Sequence, residues 1–542
     1  MAASTSNKIS TRSAGLVSLA VMSSRILGLV RDQVFAALFG AGARMDAFVA
    51  AFRAPNLLRD LFAEGALSTA FITIFSEKIT NEGDGAAWRL ASKMATLTAV
   101  FMSAVTVLGI LLAPQIMHVL APGFEQTPGK MELTITLARL MFPFIALVSL
   151  AALVMGMLNA KNVFGMPAMA STFFNLGSIV GGVSLGWWLD PHFGTKQYGT
   201  GSLIGFAIGT LLGGFLQLVV QFPALGKVGY RFQPDFLWRD PGVRRILLLM
   251  GPAVVAASAV QVNVMVNGNF ASYLGNGPVS WLGYAFRLMQ LPIGIFGVAI
   301  GTVTLPVVSR SAAAGNIVEF RAILAKGMRL AFLLTIPSTI GLMLLARPII
   351  SLLFERRTFG VWDTIHTAQA LQFYAIGLSA YAGIKVLAPS FYALGKRNTP
   401  MMVSFLSIAV NYGLNQLFTF HLGFGHRGLA LSTGLVALTN FILLYILMHR
   451  QVRRLETRQM IGTLAKLAIA GAALALVCWP AQNWMMAHWQ NYGILVRAAL
   501  LAGVITIAGG VFFAVALALR IEELDDVAAM AKRKLGRFAK RK

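Results

Sequence analysis

The chain has 542 residues, of which 57% are apolar and 12% charged, with a mean hydropathy of +0.72. That leaves too little polar surface to cover several water-soluble domains of about 100 to 200 residues, which excludes a soluble enzyme. Yet 45 Lys+Arg stand against 20 Asp+Glu, a formal charge of +25. A nucleic-acid binder, a membrane-surface protein and an integral membrane protein with sorted basic loops could each carry such a charge. Only the last suits the apolar runs. The lone cysteine, Cys478, allows no intramolecular disulfide and no cysteine-based metal site.

Residues 1–12 are polar, and the first apolar segment is too long for a cleaved signal peptide and is interrupted by Arg25 and Arg31, so it reads as a retained membrane segment. A spanning helix needs about 20 mostly apolar residues. By that measure fourteen segments follow one another, at 13–40, 45–76, 94–117, 133–158, 165–189, 201–222, 246–273, 280–307, 328–353, 367–394, 399–420, 427–448, 463–483 and 493–519. An even count puts both termini on one side. Thirty basic residues then fall in loops and tails on that side and six on the other, so both termini are expected in the cytoplasm.

Segment 1 carries Arg25, Arg31 and Asp32. At 100° per residue Ser24, Arg25, Gly28 and Arg31 share an arc of about 120° with the small Gly28 in its middle, and Asp32 is a partner for Arg25 or Arg31. In segment 2, Asp46, Arg53, Asn56, Asp60 and Glu64 form a polar stripe suited to water or another helix rather than lipid, with Arg59 outside it. Pro55 should bend or break that helix. Segment 8 adds Arg287 ahead of Pro292, and segment 10 adds Lys385 ahead of Pro389.

The two halves echo each other at an offset of 233. Leu112, Ala113 and Ile116 fall on Leu345, Ala346 and Ile349, and 158–167 falls on 391–400. A six-helix repeat keeps its orientation, so two parallel lobes with a cavity between them are expected, and segments 13 and 14 form an appendix. The resulting division is a cytoplasmic N-terminus (1–12), an N-lobe (13–222), a basic cytoplasmic linker (223–245), a C-lobe (246–450), the two extra helices (451–519) and a basic tail (520–542). The tail ends in seven basic residues from Lys532 to Lys542, better matched to anionic lipid headgroups than to nucleic acid.

An ionisable residue at bilayer depth marks a cavity, a pathway or a pair. Snorkelling or a packing salt bridge accounts for Arg53, Arg139, Arg347 and Arg497. Arg25, Arg31, Arg59 and Arg287 outnumber the available carboxylates and point to an external anion, and the planar guanidinium fork suits phosphate or pyrophosphate. No HExxH motif, Walker loop or GxSxG elbow is present, and the seven histidines lack ligand spacing. Neither an enzymatic site nor a metal or cofactor is expected.

The runs Ser24-Arg-Ile-Leu-Gly-Leu-Val-Arg-Asp32, Gly40-Ala-Gly42, Asp46-Ala-Phe48, Phe52-Arg-Ala-Pro-Asn-Leu-Leu-Arg59 and Phe62-Ala-Glu-Gly-Ala66 resemble the N-terminal signature of the MviN/MurJ family of lipid II flippases. Ala121-Pro-Gly-Phe124, Ser280-Trp281, Arg287-Leu-Met289, Pro292, Gly301 and Lys385-Val-Leu-Ala-Pro389 extend the resemblance along the chain. It implies an all-α membrane protein of the MOP exporter superfamily, with about 14 transmembrane helices, two six-helix lobes related by a pseudo-two-fold around a cationic cavity, and two extra helices forming a lipid-tail groove. It also implies transport of the undecaprenyl-pyrophosphate-linked peptidoglycan precursor, lipid II, to the outer leaflet of a bacterial inner membrane. Arg25, Arg31, Arg59 and Arg287, with Asn56 and Ser280, are the implied substrate-binding set. Asp32, Asp46, Arg53, Glu64, Gly28, Pro55 and Lys385 are the expected structural and gating set. The family's acidic residue before the segment 8 arginine is Phe286 here. Alternative readings are a flippase for another polyprenyl-linked oligosaccharide, a MATE-like drug exporter, for which an arginine-rich cavity is unsuited, and a membrane scaffold that holds cell-wall synthesis proteins.

Overall fold

The computed structural model describes residues 11–61 and 67–524. Glu64 and the basic run 532–542 lie outside the described residues. The described residues contain helices and no strands. Among the described residues ten helices are long and apolar enough to cross a membrane, and up to twelve if two bent pairs, at 241–272 and 361–393, each count as one span. The two segments of the expected fourteen that fall outside this set are the first and second. The first carries Arg25, Arg31 and Asp32 close together, and the second begins with a helix of only 17 residues.

In the first half, helices α1 (Thr11–Phe39), α2 (Ala43–Arg59), α3 (Ser68–Glu82), α4 (Asp84–Leu111) and α5 (Ala113–Leu120) are followed by α6 (Lys130–Met141), α7 (Phe144–Ala160), α8 (Gly165–Leu189), α9 (Thr200–Val219) and the short α10 (Phe222–Lys227). Next come α11 (Pro241–Ser272), α12 (Pro278–Pro292), α13 (Val298–Ala313), α14 (Ile317–Leu344), α15 (Ala346–Phe354), α16 (Val361–Ala375), α17 (Leu378–Ala393), α18 (Asn398–Asn415) and α19 (His426–Gln451). Helices α20 (Thr457–His488) and α21 (Ile494–Ala518) complete the described chain.

The element pattern carries the repeat more sharply than residue identities do. Helices α4 and α14 each have 28 residues, and their starts (Asp84, Ile317) and ends (Leu111, Leu344) are both 233 apart. Each gives way after one residue to a short helix that begins at Ala113 or Ala346. The ends of α7 and α17, at Ala160 and Ala393, keep the same offset, as do the starts of α8 and α18 at Gly165 and Asn398.

The chain divides into two compact units, residues 1–280 with 356–359, and 281–355 with 360–542. The first therefore includes α11, which the division by sequence places in the second lobe. Val243 and Ile246 anchor it in the unit's buried apolar core, and polar contacts add to this. Arg245 makes a two-pronged bridge to Glu77 at 2.9 and 3.0 Å, the Asn269 amide donates to the Val119 carbonyl at 2.8 Å, and Ser272 Oγ accepts from the Gly123 amide at 3.0 Å. Helices α8 and α9 meet along glycines. A Cβ added at Gly209 would overlap the backbone of Gly182, and one at Gly205 the backbone of Gly186, so only glycine permits this approach. At the end of α1, Phe35 and Phe39 pack edge-on against Phe206 at 4.9 and 4.8 Å.

In the second unit α20 and α21 pack on α14. Leu467, Leu474, Leu501 and Phe512 share one buried core with Leu324, Met328 and Leu333 of α14. The outward faces of the same two helices are apolar and bare, with Leu476, Trp479 and Leu495 exposed, as lipid contact requires.

Candidate functional site: the charged residues of α1 and α2

Helix α1 brings Arg31 and Asp32 together, and Asp32 pairs with Arg31 rather than with Arg25. The guanidinium donates to Asp32 Oδ1 at 3.2 and 3.4 Å, with side chains only 13% and 9% exposed. It also lies over the rings of Phe35 and Phe174 at 5.9 and 5.5 Å, aromatic faces that stabilise a cation short of water. Arg25 is exposed, two turns before Asp32. Gly28 lies against α8, where its Cα side faces the Asn175 amide, which donates to the Ser24 carbonyl at 3.1 Å. A Cβ at Gly28 would meet that amide at 3.6 Å, an ordinary contact distance.

Helix α2 starts after Gly42 and carries Asp46 in its first turn, where the helix dipole favours a carboxylate. Asp46 is fully buried and its two oxygens accept four hydrogen bonds. Oδ1 takes Ser280 N at 2.9 Å and Ser280 Oγ at 2.7 Å, and Oδ2 takes Lys130 Nζ at 3.1 Å and Gly277 N at 2.7 Å. The Lys130 ammonium, equally buried, also donates to the Gly275 carbonyl and Asn276 Oδ1 and sits 4.0 Å from the Phe124 ring centroid. One carboxylate thereby ties the start of α2, the start of α6 and the loop after α11. Ser280, expected among substrate ligands, is buried with its hydroxyl held by Asp46.

The other end of α2 is open. The helix continues through Pro55 without breaking, and a π turn follows at Asp60 and Leu61. Such wide turns re-aim side chains and cluster at functional sites. There Arg59 donates to Asp60 Oδ1 at 2.9 and 3.2 Å, with side chains 22% and 28% exposed, and Asp60 Oδ2 accepts from the Gln261 amide at 3.4 Å. Asn56 is half-buried on the same helix. Arg53 is laid against α11, where a Cβ on Gly268 would overlap its guanidinium, in keeping with a packing role.

Arg287 and Lys385 belong to the second unit, and both are exposed. Phe286 packs edge-on against Tyr374 at 5.4 Å, so the position beside Arg287 serves packing. After Pro292 the helix widens into a π segment, Ile293–Gly297, before α13. Gly297 then lies against Ala382, and a Cβ on Gly301 would come within 2.7 Å of the Lys385 carbonyl, which seats this irregular span on α17.

Sequence reasoning missed two polar centres. Lys130 counted only as a loop charge, and nothing local marks it as the partner of Asp46. Arg329 counted as a cytoplasmic charge yet is buried. It pairs with Glu523 and, at 3.0 Å, with Glu456, and donates to Gln459 at 3.1 Å. Asp190, in the turn after α8, gathers the amides of His192 and Gly199 and the Ser202 hydroxyl. Burial pushes its carboxyl up, but the Ser202 hydroxyl and these amides outweigh that and hold it below the usual carboxylate range. Among the described residues no group of three or more His, Cys, Asp or Glu is placed to hold a metal ion.

A sequence profile described as "Lipid II flippase MurJ" matches residues 35–500. A "Probable lipid II flippase MurJ" of Vibrio cholerae is 34% identical over 522 residues, covering 95% of this chain and 97% of the relative. A "Lipid II flippase MurJ" of Burkholderia cenocepacia is 35% identical over 497 residues, covering 90% and 93%. Among solved structures, "Lipid II flippase MurJ, inward closed conformation" aligns with a TM-score of 0.71 at 25% identity over 92% of this chain and 98% of that one. An inward-facing MATE transporter of the MOP superfamily shares the fold, with a TM-score of 0.67 at 16% identity, over 81% of this chain and 98% of that one.

Proposed function

The chain belongs to the MurJ family of lipid II flippases, and from that premise we propose that it moves lipid II from the inner to the outer leaflet of a bacterial inner membrane by alternating access. The observation that carries the proposal is a set of arginines on α1 and α2 that keep part of their surface open. Arg25 is exposed, and Arg31 and Arg59 are bonded to Asp32 and Asp60 while 13% and 22% of their side chains stay accessible. The paired oxygens of a pyrophosphate match the guanidinium fork. Asn56 is proposed as a neutral donor, and Arg287, on the second unit, as a further substrate-binding arginine. Ser280 acts through Asp46 as a positioning residue.

The physical advantage of the arrangement is that only the polar head passes through protein. A disaccharide-pentapeptide in hydrocarbon would leave many polar groups unsatisfied at several kcal/mol each. The polyprenyl tail stays in lipid, with the bare apolar faces of segment 451–519 offering a groove for its distal part. Asp32 and Asp60 hold the guanidinium groups in place between turnovers and yield to the stronger anion when it arrives. Outward movement of an anion follows an inside-negative potential, which supplies about 2.3 kcal/mol per charge per 100 mV. Both termini face the cytoplasm in this reading, and the basic tail rests on anionic lipid headgroups.

The test is replacement of a depleted native flippase by this chain and by its Arg31→Ala form. The wild type is expected to restore lipid II to the outer leaflet and the variant to fail at normal expression. Equal rescue by both would end the role given to the arginines.

A further inference from the structure

The first unit contains an apolar cavity of about 450 Å³ between α2, α5 and α11, inside the roughly 300–1,000 Å³ range of ligand pockets. Its walls come from Leu57 and Leu61 of α2, Ile116 and Val119 of α5, and Val262 and Met265 of α11. Helix α11 is one of the bent candidate spans, α2 lies in the apolar segment 45–76, and the apolar Val119 and Leu112 at the rim are exposed, so the cavity opens toward hydrocarbon. At one wall the polarity changes abruptly. Gln261 lines the cavity and donates to Asp60, which holds Arg59, while Leu58 and Leu61 on either side of that pair face the cavity as well. Hydrocarbon wall and guanidinium thus meet within one turn of α2.

From this juxtaposition we infer that the cavity receives the isoprene units next to the pyrophosphate of the substrate, so that Arg59 reads the head and α5 and α11 hold the start of the tail. The inference rests on the function proposed above and adds a second determinant to it. A single-chain lipid with its phosphate at the junction matches both halves of the site. Such a site fixes where the head stops along α2, because the chain cannot leave hydrocarbon while the pyrophosphate stays on Arg59. It also gives the protein a reason to prefer a prenyl pyrophosphate over a soluble sugar pyrophosphate.

The experiment uses the full chain in nanodiscs and a polyprenyl pyrophosphate with a photoreactive diazirine in its first isoprene unit. After irradiation, adducts are expected on peptides of α5 and α11, and excess unlabelled polyprenyl pyrophosphate should remove them. Val262→Trp and Ile116→Trp fill the cavity from different helices, so misfolding of one leaves the other informative. Each should lower labelling at least tenfold while Arg59-dependent binding of inorganic pyrophosphate persists. Saturable, Arg59-dependent binding of the probe with adducts elsewhere, for instance on α20 and α21, would overturn the cavity assignment and leave the flippase reading standing. Absence of saturable binding by the wild type would overturn both. Equal labelling by a diacyl phospholipid carrying the same reporter, undisplaced by polyprenyl pyrophosphate, would make the cavity an ordinary lipid site and defeat the inference.

Discussion

The two ends of α2 carry opposite charges in opposite conditions. At the N-terminal end Asp46 has both oxygens doubly bonded and shows no surface, with a buried lysine to balance it. At the C-terminal end Arg59 is bonded to Asp60 and keeps about a fifth of its side chain open. A saturated buried charge cannot take a ligand without first breaking native bonds, so it serves as a fastener. A partly open charge can exchange a partner for a better one, so it serves as a site.

The largest effect should come from the saturated end. Asp46→Ala leaves Lys130 buried without its counter-charge and strips acceptors from Gly277 and Ser280, a loss of about 3–5 kcal/mol. Thermal unfolding in detergent should show it as a markedly lower midpoint, and a variant as stable as wild type would mean that the network is not a fastener. Next is the glycine seam. Gly209→Ala forces α8 and α9 apart where backbone meets backbone, at about 1–3 kcal/mol, read by the same melting measurement. An unchanged midpoint would show that the two helices separate without cost.

Smaller still is the stability effect at the open end. Arg59→Gln removes a pair that remains solvent-accessible, worth about 0–1 kcal/mol after screening. Its melting midpoint should sit close to wild type while transport falls, and a large drop in stability would move Arg59 into the fastener class. The smallest effect concerns pH at Asp190. Its carboxyl is held below the usual range in the folded protein, so its contribution is fully present above the unfolded pKa and is lost as pH falls through the folded value. Between pH 6 and 3 the wild-type midpoint should fall more steeply than that of Asp190→Asn. Parallel curves would contradict the assignment.

Much of this comparison was readable in the sequence, and the unread part has a physical cause. Apolar run lengths place the spans, and the 233-residue echo survives as matched helix ends at Leu111 and Leu344. Charges within apolar runs point to Arg31 and Arg59 without any fold. Nothing along the chain, however, tells which charge will be saturated. The partners of Asp46 come from positions 84 to 234 residues away, and two of them are backbone amides, which every sequence contains. Arg329 misled for the same reason, because its carboxylate partner Glu523 is 194 residues distant.

The most direct test of the central claim is the affinity of polyprenyl pyrophosphate for the purified chain and for its Arg31→Gln and Arg59→Gln forms at one ionic strength. Each lost charge-assisted contact, worth about 1.5–3 kcal/mol, should weaken binding roughly tenfold or more while the protein stays folded. Affinities within twofold of wild type for both variants would contradict it.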